Sequence, residues 1–319
     1  MKKPLVSTIT PCYRMGKYLK TFLESLPRQS YFSNIEVVLD HNEPDDWEVQ
    51  YVREFQNAYP GRLKHIVVDK VDPIGTSMNR CVREASGEYL AIWNVDDLRT
   101  SDSIQAQVDV LLGDEDADIV YGNYITVSAF GATGGVVVNH EGIPATEFTR
   151  SMIFGPFFMF RKSLCDKAGY FDEQLKSGAD FDFSIRLAMH GNAAMAKGEL
   201  GFYLNEGLGA STRPNSLQPV ERTVVELRYG IYDKIDYSYL PSALKYDINY
   251  IWHGNAKSHV AEFVPRYDAW LEDRETQWFA KGFRHYCKRA RIHGGAECKW
   301  NVSPWDLLRK LKRLIGRAK

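Results

Sequence analysis

Between Leu5 and Gly122 the sequence alternates between two periodicities, and that alternation narrows the possible folds more than any other feature. Five short runs rich in β-branched and aromatic residues read as buried strands: "LVSTIT" (5–10), "IEVVL" (35–39), "LKHIVV" (63–68), "YLAIW" (89–93) and "DIVYG" (118–122). Helical spacing lies between them. Leu19, Phe22, Leu23 and Leu26 recur on one face, and Ile104, Val108 and Leu111 on another. Asp45 with Glu48 three residues on forms a capping-box pattern opening a helix that turns Val52, Phe55 and Tyr59 inward. "TSMNRCVREAS" reads as a helix stopped at Gly87. Strand–helix alternation with apolar strands predicts an α/β fold, a mostly parallel sheet sandwiched by helices. Ligands of such sheets sit beyond the carboxyl ends of the strands, near a switch in strand order. Three polar segments fall there: "TPCYR" (10–14), "DHN" (40–42) and "NVDD" (94–97).

After residue 122 the pattern changes. "GATGGVVV" reads as a glycine-rich hairpin and "FGPFFMF" as a buried strand in a mixed part of the sheet. "GADFDFSIRLAMHG" (178–191) is a helix ending at Gly191. "STRPNSLQP" (211–219) reads as a linker, and beyond it the pattern is helical, broken at Pro241, Pro265 and Pro304. The chain therefore divides into a sheet-bearing domain, 1–217, and a mostly helical, basic extension, 218–319.

At 319 residues there is ample chain for a large core, and a net charge of −1 gives no sign of a nucleic-acid partner. That average conceals a gradient: from Trp278 onward 12 Lys+Arg stand against 2 Asp+Glu. Five cysteines without a C-x-x-C pair fit reduced thiols in a cytoplasmic protein. The apolar start is broken by Pro11, Tyr13 and Arg14, and no segment approaches the length of a membrane span. No Ser-His-Asp order, H-E-x-x-H or Walker loop is present.

Asp96 and Asp97 raise the chemical question. Adjacent carboxylates after a buried strand either charge the next helix's N-terminus or hold a hard divalent cation. The residues alone leave both open. Asp180, at a helix start, is likewise either a cap or a carboxylate kept charged for proton transfer.

The order of these motifs resembles that of the family 2 glycosyltransferases, inverting enzymes with the glycosyltransferase A fold. "TPCYR" stands where that family has a P-x-Y-N-like turn, and "LDHNE" where it has "VDDGS". "SMNRCVREASGEY" matches the "ARN" and "A-x-G-x-Y" helix, "NVDD" the D-x-D-type motif, and "ADFDFSIRL" the "ED" before an "x-R-L" helix. The match runs in order over residues 4 to 190. It implies a Rossmann-like sheet and a donor that is a nucleotide-diphosphate sugar. It also implies Mn²⁺ or Mg²⁺ on Asp97 with Asp96 supporting it, and a saccharide or lipid-linked acceptor. Donor binding falls to Pro11, Tyr13, Asp40 or His41, Asn79 and Asp96. Asp180 becomes the catalytic base, with Asp182 and Arg186 on the acceptor side. Asn94 and Ala179 stand where acidic residues are usual, and Met78 replaces the Arg of "ARN"; Asn205 and Glu206 occupy the place of a downstream His. Two rival readings remain: a non-catalytic nucleotide-sugar binder or scaffold, and a sugar nucleotidyltransferase, which "TPCYRMGKYL" fits poorly for want of a Gly- and Lys-rich loop.

"SPWDLLRKLKRLIGRAK" (303–319) sets Trp305, Leu308, Leu311, Leu314 and Ile315 on one helical stripe among six cations. Such a helix either lies peripherally on an anionic membrane surface or docks on protein.

Overall fold

Val6–Tyr13 (β1) opens the chain as a buried strand, followed by Gly16–Ser25 (α1), Ile35–Asn42 (β2), Asp46–Ala58 (α2), Leu63–Val68 (β3), Ile74–Glu84 (α3) and Tyr89–Ile92 (β4). The computed structural model describes residues 4–207, 215–265 and 267–269. Each expected element of this stretch is present for its expected reason. In α1, Tyr18, Leu19, Phe22 and Leu23 bury one face, and burial of each such side chain contributes about 1.5–3 kcal/mol. At α2, Glu48 Oε2 accepts the Asp45 N–H at 2.8 Å, closing the capping box. Helix α3 ends at Glu84, before Gly87, because the chain must pass β1 there. A Cβ on Gly87 would stand 2.6 Å from the Ser7 nitrogen.

Next come Leu98–Arg99 (β5), Ser103–Gly113 (α4), Ala117–Val127 (β6), Val136–Val138 (β7), Met159–Arg161 (β8), Cys165–Ala168 (α5), Ala179–His190 (α6) and Asn192–Leu204 (β9). These strands join one nine-stranded sheet of order β3-β2-β1-β4-β8-β6-β9-β5, with β7 on β6. β1 pairs in parallel with β2 and β4, and β6 in parallel with β9. β8 runs antiparallel to both β4 and β6, so the sheet is mixed at that point, as "FGPFFMF" predicts. The order reverses at β1, between β2 and β4.

Two parts depart from the sequence reading. β9 is thirteen residues long, yet "NAAMAKGELGFYL" carries three Ala and two Gly and has no period-two signal. Its strand state comes from pairing with β6, which needs three register shifts to accommodate it. Beyond residue 217 the chain is not helical throughout. Gln218–Tyr229 (α7) and Leu240–Ala243 (α8) are followed by a hairpin of Tyr250–His253 (β10) and Ala256–His259 (β11). Gly254, at φ +60°, supplies the left-handed turn.

The described residues fall into two compact units, one of residues up to 218 with 252–256, the other of 219–251 with 257 onward. The first holds the sheet. In the second, fully buried Arg228 donates to the carbonyls of Ile248 and Tyr250 at 3.0 Å each, and the Tyr246 hydroxyl donates to Glu221. Cys12, Cys81 and Cys165 are buried and free. No helix among the described residues is long and apolar enough to cross a membrane. The basic segment 303–319 lies outside the described residues.

Candidate active site

The switch at β1 brings three strand ends together. Register sets Pro11 beside Asp40, Cys12 beside His41 and Tyr13 beside Asn42. On β1's other side the Trp93 N–H donates to Ile9 O at 3.2 Å, so β4 runs on into the Asn94–Asp97 turn next to β1. Both neighbouring exits, Arg14 (φ 53°) and Glu43 (φ 45°), sit in the left-handed region, which costs a side-chain-bearing residue about 1 kcal/mol. Tyr13 is partly exposed there, with the Arg14 guanidinium 5.0 Å from its ring centre.

The turn after β4 is built to fix Asp97. The buried Trp93 indole N–H donates to the Asp97 carbonyl at 3.1 Å. Asn94 Nδ2 donates to Asp97 Oδ2 at 3.1 Å, and the Leu204 N–H at the end of β9 donates to Oδ1 at 3.0 Å. Asn94, where the family pattern has an acid, is thus a hydrogen-bond donor to its neighbour. Asp97 is 2% exposed and Asp96 partly buried, and neither has an ion pair among the described residues. Burial, and then the Asp96 charge, push the Asp97 carboxyl up to about 8. Burial also raises Asp96.

Behind this pair lies Arg99, a residue the motif reading passed over. It is fully enclosed between Trp93 and Phe157, whose ring centres are 5.5 and 5.2 Å from the guanidinium carbon. It donates to the carbonyls of Ile92 (2.7 Å) and Phe157 (2.9 Å) and to Gln107 Oε1 (2.9 Å). Burial lowers it to about 9 against the opposing pull of Asp97. No local period signals it, since Asp97 lies in the turn and β5 is only Leu98–Arg99.

The end of β2 is built differently. Asp40 is fully buried and clasped by Arg80, Nε to Oδ2 at 2.6 Å and Nη2 to Oδ1 at 2.9 Å. Arg80 also holds Asp72 at 2.6 Å, and Asn42 Nδ2 donates to Asp40 at 2.6 Å. This carboxylate ties α3 to β2 and, being fully buried, does not face a ligand. His41 beside it is also fully buried. Its Nδ1 stands 3.2 Å from His65 Nε2, and its Nε2 is 3.6 Å from Glu48 Oε2, beyond hydrogen-bond reach. Burial first, and the second imidazole next, lower it to about 4.

Asn79 is buried and braces the chain entering α6. Its amide donates to Phe171 O (2.9 Å) and Glu173 Oε1 (2.8 Å) and accepts the Phe171 N–H (2.9 Å). Asp172 continues the brace, accepting from Gln174 N and Trp252 N. Gly75 is needed in this packing, since a Cβ there would meet Asp172 O at 2.7 Å. Asp180 follows in the first turn of α6, partly exposed, its Oδ1 accepting the Phe181 N–H at 2.8 Å.

Asp182 and Arg186 depart from the acceptor-side expectation. Both are fully buried, and Arg186 grips Asp182 Oδ2 at 3.0 and 2.6 Å while donating to the carbonyls of Ala168 and Tyr170. An i,i+4 pair facing the core locks α6 onto α5 instead of meeting a substrate. Glu206, in the place of the family's His, pairs with Lys17 at 3.1 Å and with the Tyr18 hydroxyl.

No group of three or more His, Cys, Asp or Glu suited to a metal occurs among the described residues. The two-carboxylate turn does fit a hard cation that draws its remaining ligands from a diphosphate and water. Neither carboxylate has an ion-pair partner among the described residues, and Arg99 acts on Asp97 through its charge alone.

Comparisons with known proteins bear on the fold and the family. An uncharacterized glycosyltransferase of Rickettsia felis is 25% identical over 193 residues, which is 58% of this chain and 31% of that protein. The chain thus spans about a third of that relative's length. The S. aureus TarS 1–349 structure in complex with UDP-GlcNAc superposes with a TM-score of 0.60 at 18% identity, over 89% of this chain and 81% of that one. The mannosyltransferase PcManGT from Pyrobaculum calidifontis, in complex with GDP-Man and Mn²⁺, superposes at 0.50 and 14% identity, over 100% and 82%. The structural likenesses establish the glycosyltransferase A-type fold. The profile of Glycosyl transferase family 2 matches residues 7–169, just over half of the sequence and the whole span from β1 to the end of α5, and the chain belongs to that family.

Proposed function

We propose that the chain is an inverting, metal-assisted glycosyltransferase that moves a sugar from a nucleotide-diphosphate donor to an acceptor hydroxyl. The observation that carries this reading is the Asp96–Asp97 turn: two carboxylates without an ion-pair partner among the described residues, held at the sheet's switch point. Asp97, supported by Asp96, would hold Mn²⁺ or Mg²⁺. Bound there, the cation neutralises charge gathering on the departing diphosphate. Likeness to structures that contain UDP-GlcNAc, or GDP-Man with Mn²⁺, supports the same donor class.

The protein's own groups do the rest. Tyr13, partly exposed at the end of β1, offers a ring face to the nucleotide base. Asp180 takes the acceptor proton. An alcohol is too weak an acid to attack unaided, and inversion requires attack from the face opposite the diphosphate. The N-terminal turn of α6 keeps Asp180 ionised, and the Asn79 brace fixes the segment from which it projects. The acceptor is a saccharide, free or lipid-linked, and a cytoplasmic site gives access to nucleotide sugars.

The test is a panel of UDP- and GDP-sugars with Mn²⁺ or Mg²⁺, reading thermal shift and nucleoside-diphosphate release. Asp180→Asn is expected to lower turnover by about 10²–10⁴-fold while leaving the nucleotide-induced shift intact. Normal turnover in that variant would refute the base assignment. A thermal shift without release in the wild type would make the chain a binder instead.

A further inference from the structure

A second cluster lies across the Asp97 turn from β1, on β6 and the loop that follows β7. Its centre is Tyr124. The ring is held by edge contacts to His140 (5.6 Å between centres), Phe157 (6.2 Å) and Tyr203 (6.1 Å). Gly155, at φ +66°, passes so close that an added Cβ would stand 2.8 Å from the Tyr124 ring and 3.6 Å from His140. The ring is therefore held by three aromatic residues and the Gly155 backbone.

Both polar heads of this cluster lack partners. The Tyr124 hydroxyl makes no hydrogen bond among the described residues, and its side chain is partly exposed. His140 is 6% exposed. Its Nδ1 lies 3.2 Å from the Gly122 carbonyl, which only accepts, so Nδ1 carries the hydrogen. Nε2 is left with a lone pair and no partner among the described residues. Burial lowers the His140 pKa, which keeps that lone pair available at neutral pH. Neither the Tyr124 hydroxyl nor His140 Nε2 is among the fully enclosed orphans of the described residues, so both are open to solvent or to a ligand that replaces it.

Position ties the cluster to the transfer site. Tyr203 packs on Tyr124, and the next residue, Leu204, gives its N–H to Asp97. Phe157 packs on Tyr124 and also lies against Arg99. The Asp97 charge is close enough to raise the Tyr124 phenol, behind burial and Tyr203. In the sheet order β1-β4-β8-β6, the Asp97 turn stands between the donor crevice at β1 and this wall at β6.

A ligand for it needs three properties. It must offer a C–H face to an aromatic ring, whose negative face attracts it. It must also donate one hydroxyl proton to His140 Nε2 and accept the Tyr124 O–H. And it must be uncharged here, since no Lys or Arg among the described residues bonds to Tyr124 or His140. A purely apolar ligand would leave both heads unpaired. Resting on the transferase reading above, we propose that Tyr124 and His140 form the acceptor subsite, and that its occupant is a neutral pyranoside whose hydroxyls bridge the phenol and the imidazole.

Saturation-transfer NMR with methyl β-D-glucopyranoside, methyl β-D-galactopyranoside and methyl N-acetyl-β-D-glucosaminide as probes tests this, with and without UDP and Mn²⁺. At least one probe is expected to bind. Tyr124→Phe keeps the ring and removes one hydrogen bond, and should weaken that probe about tenfold. His140→Gln should weaken it comparably, and Tyr124→Leu further. The nucleotide-induced thermal shift should hold in all three variants, which separates an acceptor role from loss of fold. No binding by any probe, or probe affinities within twofold in both Tyr124→Phe and His140→Gln, would overturn the assignment. Absence of any nucleotide-sugar shift in the wild type overturns the transferase reading instead, while the nucleotide-free NMR arm still decides the wall.

Discussion

Two aspartates at the ends of nearby parallel strands have opposite surroundings. Asp40, ending β2, is clasped by Arg80 in two hydrogen bonds, and the guanidinium goes on to Asp72. Asp97, just past β4, is equally enclosed but accepts from only two neutral N–H donors, beside the like charge of Asp96, and feels Arg99 through its charge without an ion pair. Both groups were removed from water at a cost of several kcal/mol. One recovers it within the protein. The other is held in place without an ion pair, and under the proposed function a bound cation would offset its cost. Residue type is shared, so partner geometry separates the paired carboxylate from the unpaired one.

The contrast breaks most visibly at Arg80. Arg80→Met leaves Asp40 buried without its cation and should cost about 3–5 kcal/mol of unfolding free energy, read by guanidinium denaturation. Adding Asp40→Asn should restore most of it. At the other strand the sign reverses. Asp97→Asn replaces a carboxyl that burial disfavours in its charged form with a neutral group of the same shape, so the melting temperature should hold or rise while turnover falls about 100- to 1000-fold. A loss of stability like that of Arg80→Met would end the distinction between the two sites.

The end of β2 carries a pH signature as well. His41 is held neutral, with its pKa lowered to about 4 by burial and His65, against an unfolded value of about 6.5. Glu48 and Asp45 face it from α2, and the Asp45 charge opposes the shift. The unfolded chain takes up this proton first as pH falls. The contribution is therefore complete above about pH 6.5 and is lost on the way down to about 4, some 3 kcal/mol over that window. Urea titrations at pH 7.5 and 4.5 should show the drop in the wild type and a correspondingly smaller one in His41→Gln. Smallest is Asn94→Ala, which deletes the 3.1 Å bond to Asp97 and should cost about 1 kcal/mol, measured by thermal melts. A much larger cost would mean that Asn94 organises the whole turn.

Much of the first half was legible in advance because its elements are specified locally. The apolar stripe of α1, the Asp45–Glu48 box and the apolar run of β4 each carry a periodicity or cap that forms wherever the chain goes. β9 was illegible for the complementary reason: "NAAMAKGELGFYL" becomes a strand only because β6 offers it a ladder. The hairpin of β10 and β11 was hidden by runs of four residues, too short for either period to register. Among the site residues, motif order located the strand ends, but not their partners. Arg80 and Arg99 stand one and two residues from motif positions and still escaped notice, since an arginine's partner depends on where the chain brings a carboxylate or carbonyl. The acceptor-side expectation for Asp182 and Arg186 failed on the same point. Their i,i+4 spacing says that they meet, not whether they meet in the core or in the cleft.

The sequence by itself determined the α/β class, the parallel order of its first strands and the placing of polar turns at their carboxyl ends, because periodicity and capping act over a few residues. Only the tertiary structure decided which carboxylates are neutralised, that Asn79 braces α6, and that Tyr124 and His140 meet. Those outcomes depend on burial and on distances between segments tens of residues apart, and electrostatic free energy changes several-fold with either.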